Sequence, residues 1–110
     1  IGDWNVAKVS DMNGMLCGAT SFNQPISDWN VASVTDMDFM FGGASSFNQR
    51  IGDWNVSKVQ NMDGMFRRAL CFDQNLRKWA DLNSRVYDAF DYCVDESDCK
   101  FLPCSSRLES

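Results

Sequence analysis

The chain has 110 residues, of which 45% are apolar and 13% aromatic, and carries a formal charge of −5. The apolar content excludes a disordered tail, and the acidic balance excludes a nucleic-acid binder, which needs a basic face to neutralise phosphates. No histidine is present, which removes the usual general base and metal ligand of Ser/His/Asp, Cys/His and zinc hydrolase chemistry.

A 25-residue unit is written three times without insertion, over residues 1–25, 26–50 and 51–75, with the same residue at eleven positions. Repeats of this length signal stacked units, each unable to bury its apolar face until a neighbour covers it. Function is then expected on a surface rather than in a pocket. The chain opens inside a repeat, so a leader and further repeats are expected upstream of Ile1.

In the first unit Met12, Met15, Leu16 and Ala19 fall at i, i+3, i+4 and i+7, the stripe of a two-turn helix. Met37, Met40, Phe41 and Ala44 repeat it, as do Met62, Met65, Phe66 and Ala69. Asp11, Asp36 and Asn61 precede the stripes as N-caps, and Gly18, Gly42 and Gly43 suit a C-terminal stop. Phe22, Gln24 and Ile26 then alternate with Asn23 and Pro25, which predicts a short strand, with the proline at an edge or bulge. The valine columns lead the chain inward to the next stripe.

The predicted architecture is an α/β solenoid with one short helix and one short strand per 25 residues. Stacked turns place Trp4, Trp29, Trp54 and Trp79 in one column, each contributing about 1.5–3 kcal/mol on full burial. The columns of Asn5, Asn30 and Asn55 and of Gln24, Gln49 and Gln74 are expected inside, satisfying backbone groups. Asn55-Val56-Ser57 is the only glycosylation sequon, and burial of its asparagine is expected to block modification.

The string MFGGASSFNQRIGDWNVSKVQNM, from Met40 to Met62, resembles the BspA-like leucine-rich repeat of the mycoplasma-lipoprotein-associated type. Met-Phe, Ala, Ser-Phe-Asn-Gln, Ile, Trp-Asn-Val, Val and Met stand in the family order, and the likeness covers residues 1 to about 79. The resemblance implies leucine-rich-repeat-like coils on secreted or surface-exposed proteins of bacteria, protists and algae. It implies binding of proteins or cell surfaces, and no catalytic residue.

From residue 76 the pattern degrades. Leu76, Trp79, Tyr87 and Phe90 keep apolar columns, while Lys78, Ala80, Asp81 and Ser84 replace consensus residues. Residues 76–110 are therefore expected to form a degenerate fourth repeat and a divergent C-terminal cap. Cys71, Cys93, Cys99 and Cys104 lack zinc spacing and are read as candidate disulfides with three possible connectivities. Disulfides place the protein outside the cytoplasm, in a secreted, surface or lumenal setting; a reduced cap with buried thiols is the rival. Cys17 is expected to be unpaired. The basic residues of 58–85 and the acids from Asp88 to Asp98 read as a solvated surface or as a dipolar docking face.

No catalytic, cofactor or metal site is expected. Asp3, Asp28 and Asp53 suit the turn before each tryptophan. Calcium is the alternative weighed, because like charges about 5 Å apart repel by about 0.8 kcal/mol in water. The invariant columns being occupied with packing, a protein-binding face is expected at the variable outward positions. These are Lys8, Ser33 and Lys58, Ser10, Thr35 and Gln60, and Arg50, Arg67 and Arg68. The reading is non-enzymatic protein recognition, without nucleic acid or a membrane-spanning segment. The alternative is a structural accessory or scaffolding subunit of a larger assembly.

Overall fold

A computed structural model describes residues 1–91. It does not form the α/β solenoid predicted from the repeat. Among the described residues the regular elements are α1 (Arg77–Leu82), a 3-10 helix (Ser84–Tyr87) and α2 (Asp88–Asp91). No sheet is present among them, only isolated parallel bridges joining Asp11 to Asp36 and Asp36 to Asn61. The three units are built from consecutive turns folded into a compact body of 36 × 30 × 22 Å.

The expected helix fails for a definable reason. In an α-helix every interior N–H bonds within the segment, but here the donors alternate. Met15, Cys17 and Ala19 donate three residues back, to the carbonyls of Met12, Gly14 and Leu16 at 3.2, 3.0 and 3.1 Å. Met12, Gly14, Leu16 and Gly18 donate forward into the next unit, to Asp36, Asp38, Met40 and Gly42 at 2.7–2.9 Å. The second unit repeats both sets, with Met37, Phe39, Phe41 and Gly43 donating to Asn61, Asp63, Met65 and Arg67.

Left-handed residues four apart keep this run of turns from winding into a helix. They are Gly14 and Gly18, Phe39 and Gly43, and Gly64 and Arg68, with φ between 56° and 76°. Glycine takes that conformation freely, whereas an L side chain costs about 1–2 kcal/mol there. The apolar stripe still faces inward: Met37, Met40, Phe41 and Ala44 are fully buried, as are Met65 and Ala69.

The expected strand is also absent. At its position the backbone N–H of Asn48 meets the Asn23 side chain rather than a carbonyl, with Oδ1 accepting at 2.9 Å, and Asp73 N–H meets Asn48 Oδ1 at 2.9 Å. Gln49 and Gln74 close the same motif from Nε2, each donating to that Oδ1 at 2.9 Å. Side-chain amides thus replace the ladder of a sheet.

Like residues nevertheless lie over like. Trp29 and Trp54 stack at 6.3 Å and 9°, and Trp54 and Trp79 at 6.2 Å and 11°. Each indole Nε1–H donates to an isoleucine carbonyl 28 residues earlier, on Ile1, Ile26 and Ile51, at 3.3, 3.2 and 3.0 Å. Phe22, Phe47 and Phe72 form a second stack at 5.9 Å spacing. Phe41 and Phe66 bind it to the tryptophans, lying 4.2 Å from Phe47 and Phe72 and tilted against Trp54 and Trp79. Each such aromatic pair adds about 0.5–1.5 kcal/mol beyond burial.

The two ends of the tryptophan column differ. Trp79 is fully buried, while Trp4 is 54% exposed. From Arg77 the turns give way to helix, and beyond it Asn83 takes over the backbone satisfaction. Its buried Nδ2 donates to the carbonyls of Val56 and Val59 at 3.0 and 2.6 Å, and its Oδ1 accepts from Arg85 N–H at 3.0 Å. Gly64 still donates 24 residues ahead, to Asp88, but Phe66 donates to Ala89, one residue out of register.

Candidate partner-binding surface

The Ser10, Thr35 and Gln60 column is held by its own backbone. Thr35 N–H donates to the Ser10 carbonyl at 2.8 Å and Gln60 N–H to the Thr35 carbonyl at 2.7 Å. Thr35 Oγ1 also reaches the Ser10 carbonyl, at 3.2 Å. The side chains of Ser10 and Gln60 remain exposed, as do Lys8, Ser33 and Lys58.

These columns meet in an open groove of about 650 Å³, where Thr35, Lys58 and Gln60 are joined by Ser57, Asn61 and Arg85. The groove is amide, hydroxyl and cation, set beside the buried Val56 and Val59. Arg85 belongs to the basic residues of 58–85 but to no repeat column, because it follows the residue at which the consensus lapses. Only the later turn to helix brings it over the third unit.

The other predicted residues lie elsewhere. Arg50 lines a second groove of about 400 Å³ with Asp53, Gln74, Arg77 and Lys78. There Lys78 Nζ meets Asp53 Oδ1 at 2.6 Å. That hydrogen bond, followed by the charges of Lys78 and Arg50, holds the Asp53 carboxyl below its ordinary range. Arg67 is half-buried and Arg68 exposed, and neither lines either groove. Arg50 thus borders a different groove from the one that Thr35, Lys58 and Gln60 line.

The asparagine column is misplaced in the sequence reading. Asn5, Asn30 and Asn55 are exposed, and each Oδ1 accepts from the backbone two residues on, at Ala7, Ala32 and Ser57, over 3.0–3.1 Å. These are Asx turns, in which the side chain mimics a backbone carbonyl. Each turns the chain after its tryptophan, with the amide left in solvent.

The acidic column behaves differently. Asp36 Oδ1 accepts from Asp38 N–H at 3.0 Å and Asp38 Oδ1 accepts from Asp63 N–H at 2.7 Å. Desolvation raises the Asp38 pKa, the Asp63 amide opposes the rise, and the charges of Asp36 and Asp63 add to it. Among the described residues no group of three His, Cys, Asp or Glu side chains is arranged to hold a metal ion.

Among the described residues Cys17 and Cys71 are exposed thiols with no disulfide between them. Cys93, Cys99 and Cys104 lie outside the described residues, as do the acids beyond Asp91. No helix among the described residues is long and apolar enough to cross a membrane.

A family model described as a Mycoplasma protein of unknown function, DUF285, matches residues 1–99. The chain belongs to this family. The DUF285 match runs through all three repeats and across the lapsed fourth unit. No curated protein and no solved structure matches.

Proposed function

We propose that this DUF285 chain is a non-enzymatic protein-recognition module of the BspA-like surface-repeat kind, displayed outside the cytoplasm. One observation carries the reading: variable polar side chains of successive turns converge in the groove of Thr35, Lys58, Gln60 and Arg85, over a core whose columns hardly vary. The scaffold fixes the backbone of that groove through the Ser10, Thr35 and Gln60 ladder, so exposed residues there change without disturbing packing. Its cations and amides suit an acidic, hydrogen-bonding protein surface.

The test is crosslinking and mass spectrometry at the native cell surface with the wild type and with a Lys58→Glu, Arg85→Glu double variant. Both proteins should melt alike, because both side chains are exposed. Loss of the crosslinked protein only in the variant supports the reading. An unchanged set of crosslinks sinks it.

A second reading, a structural subunit of a larger assembly, draws on a different observation. Ile1, Trp4 and Met15 are exposed at 40%, 54% and 37%, and an unburied tryptophan is the kind of side chain that anchors a permanent interface. Native gel filtration separates the two: a free monomer favours the receptor, and stable co-migration with other chains favours the subunit.

A further inference from the structure

We infer that Asn55 is an acceptor for an N-linked glycan, an inference that rests on the extracytoplasmic placement proposed above. Burial, the one objection raised by the repeat, does not hold, since Asn55 and Ser57 are both exposed. Asn55 Oδ1 accepts from Ser57 N–H at 3.1 Å, and its Nδ2 donates no hydrogen bond among the described residues. The nitrogen to be modified therefore carries no structural duty, and a glycan on it displaces no contact.

The repeat supplies its own control. Asn5, Asn30 and Asn55 occupy the same Asx turn, with Oδ1 accepting from residue +2 at 3.0–3.1 Å, but position +2 is Ala7, Ala32 and Ser57. Only the third corner has the hydroxyl that completes a sequon. Backbone, exposure and the amide's own bond are shared, so that one oxygen separates an acceptor from two non-acceptors.

The transfer is a substitution at carbon. Asn55 Nδ2 bonds to the anomeric C1 of a lipid-pyrophosphate-linked oligosaccharide, the C1–O bond breaks, the lipid pyrophosphate leaves with the electron pair, and Nδ2 gives up one proton. No oxidant or reductant is involved. The sugar would stand two residues from Ser57, which lines the groove of Lys58 and Gln60, so it would border the recognition surface.

The chain, placed behind a secretion leader in a eukaryotic host and recovered from the medium, should carry a glycan that peptide N-glycanase removes, leaving aspartate at position 55. Asn55→Gln and Ser57→Ala should each abolish it, and Ala32→Ser should add a second glycan at Asn30. A secreted chain bare at Asn55 overturns the inference, most directly if the Ala32→Ser chain is modified at Asn30. Protein from its native source should carry the same glycan. A bare native chain beside a modified secreted one shows that the native chain does not meet the transferase, which overturns glycosylation in the native setting while leaving the acceptor geometry standing.

Discussion

The ring of Phe39 fills the space that a side chain on Gly64 would need: a Cβ there would lie 2.5 Å from Phe39 Cε1 and 2.8 Å from Cδ1. The two residues hold the same position in adjacent units, and both have positive φ, 56° and 62°. A bulky residue at this position of one unit requires glycine at the same position of the next.

Gly64→Ala should therefore destabilise by about 3 kcal/mol, from left-handed backbone and overpacking together. Gly18→Ala meets no atom within 4 Å and should cost only the backbone share, about 1 kcal/mol. Denaturant melts of both, with Phe39→Ala added to Gly64→Ala, check this. Equal losses at the two glycines, or no relief from the second substitution, would count against the contact.

The tryptophan stack separates ring from hydrogen bond. Trp54→Phe keeps an aromatic ring between Trp29 and Trp79 but leaves the Ile26 carbonyl with Trp29 N–H as its remaining donor, and should cost about 0.5–1.5 kcal/mol. Trp54→Ala removes the ring as well and should cost about 3–5 kcal/mol. Trp4→Ala, at the exposed end, should stay within about 1 kcal/mol of wild type. Thermal melts followed by tryptophan fluorescence should give that order.

Asp38 sets a pH dependence. Its pKa is raised above 3.8 in the folded chain, so the folded state binds more protons than the unfolded one in the window above 3.8, and stability falls as pH rises through it. Asp38→Asn keeps the Oδ1 that accepts from Asp63 N–H and removes the charge facing Asp36 and Asp63. The variant should melt higher than wild type at pH 7, and the gap should close as pH falls below 3.8. A gap that is constant with pH would refute the electrostatic account.

Asn83→Ala takes the donor from the Val59 carbonyl and should cost about 2 kcal/mol, the penalty for an unsatisfied buried group. Asn83→Asp retains an acceptor for Arg85 N–H but cannot donate, so its loss should match or exceed that of the alanine variant. If the aspartate variant melts like wild type, the donor bonds to Val56 and Val59 are not what holds the fourth unit.

The columns were legible because identical residues recur at a fixed interval: the buried tryptophans, Phe47, Phe72 and the methionines follow directly from it. The turns between them were not. An apolar pattern of i, i+3, i+4 and i+7 fits a helix, but it fits equally a run of turns with a left-handed residue every fourth position. Gly14 and Gly64 carry that signal together with Gly18 and Gly43, whereas the helix reading takes Gly18, Gly42 and Gly43 as a stop. Asn23 and Asn48 hid in an alternation that looks like a strand, although their side chains do the bonding. Of the surface, the Ser10, Thr35 and Gln60 column was readable as variable and outward, and Arg85 as one of the basic residues of 58–85; that Arg85 meets this column was not, because a lapsed repeat has no register to extrapolate.

Every second amide between Met12 and Gly18 has its acceptor one unit ahead, so no unit is self-sufficient. Opening the fourth unit would strip acceptors from Gly64 and Phe66, whereas opening the first would strand carbonyls of the second. Loss of protection should then spread through neighbours in sequence, and amide exchange should show graded lifetimes, shortest beside Trp4 and longest around Met37 and Met40.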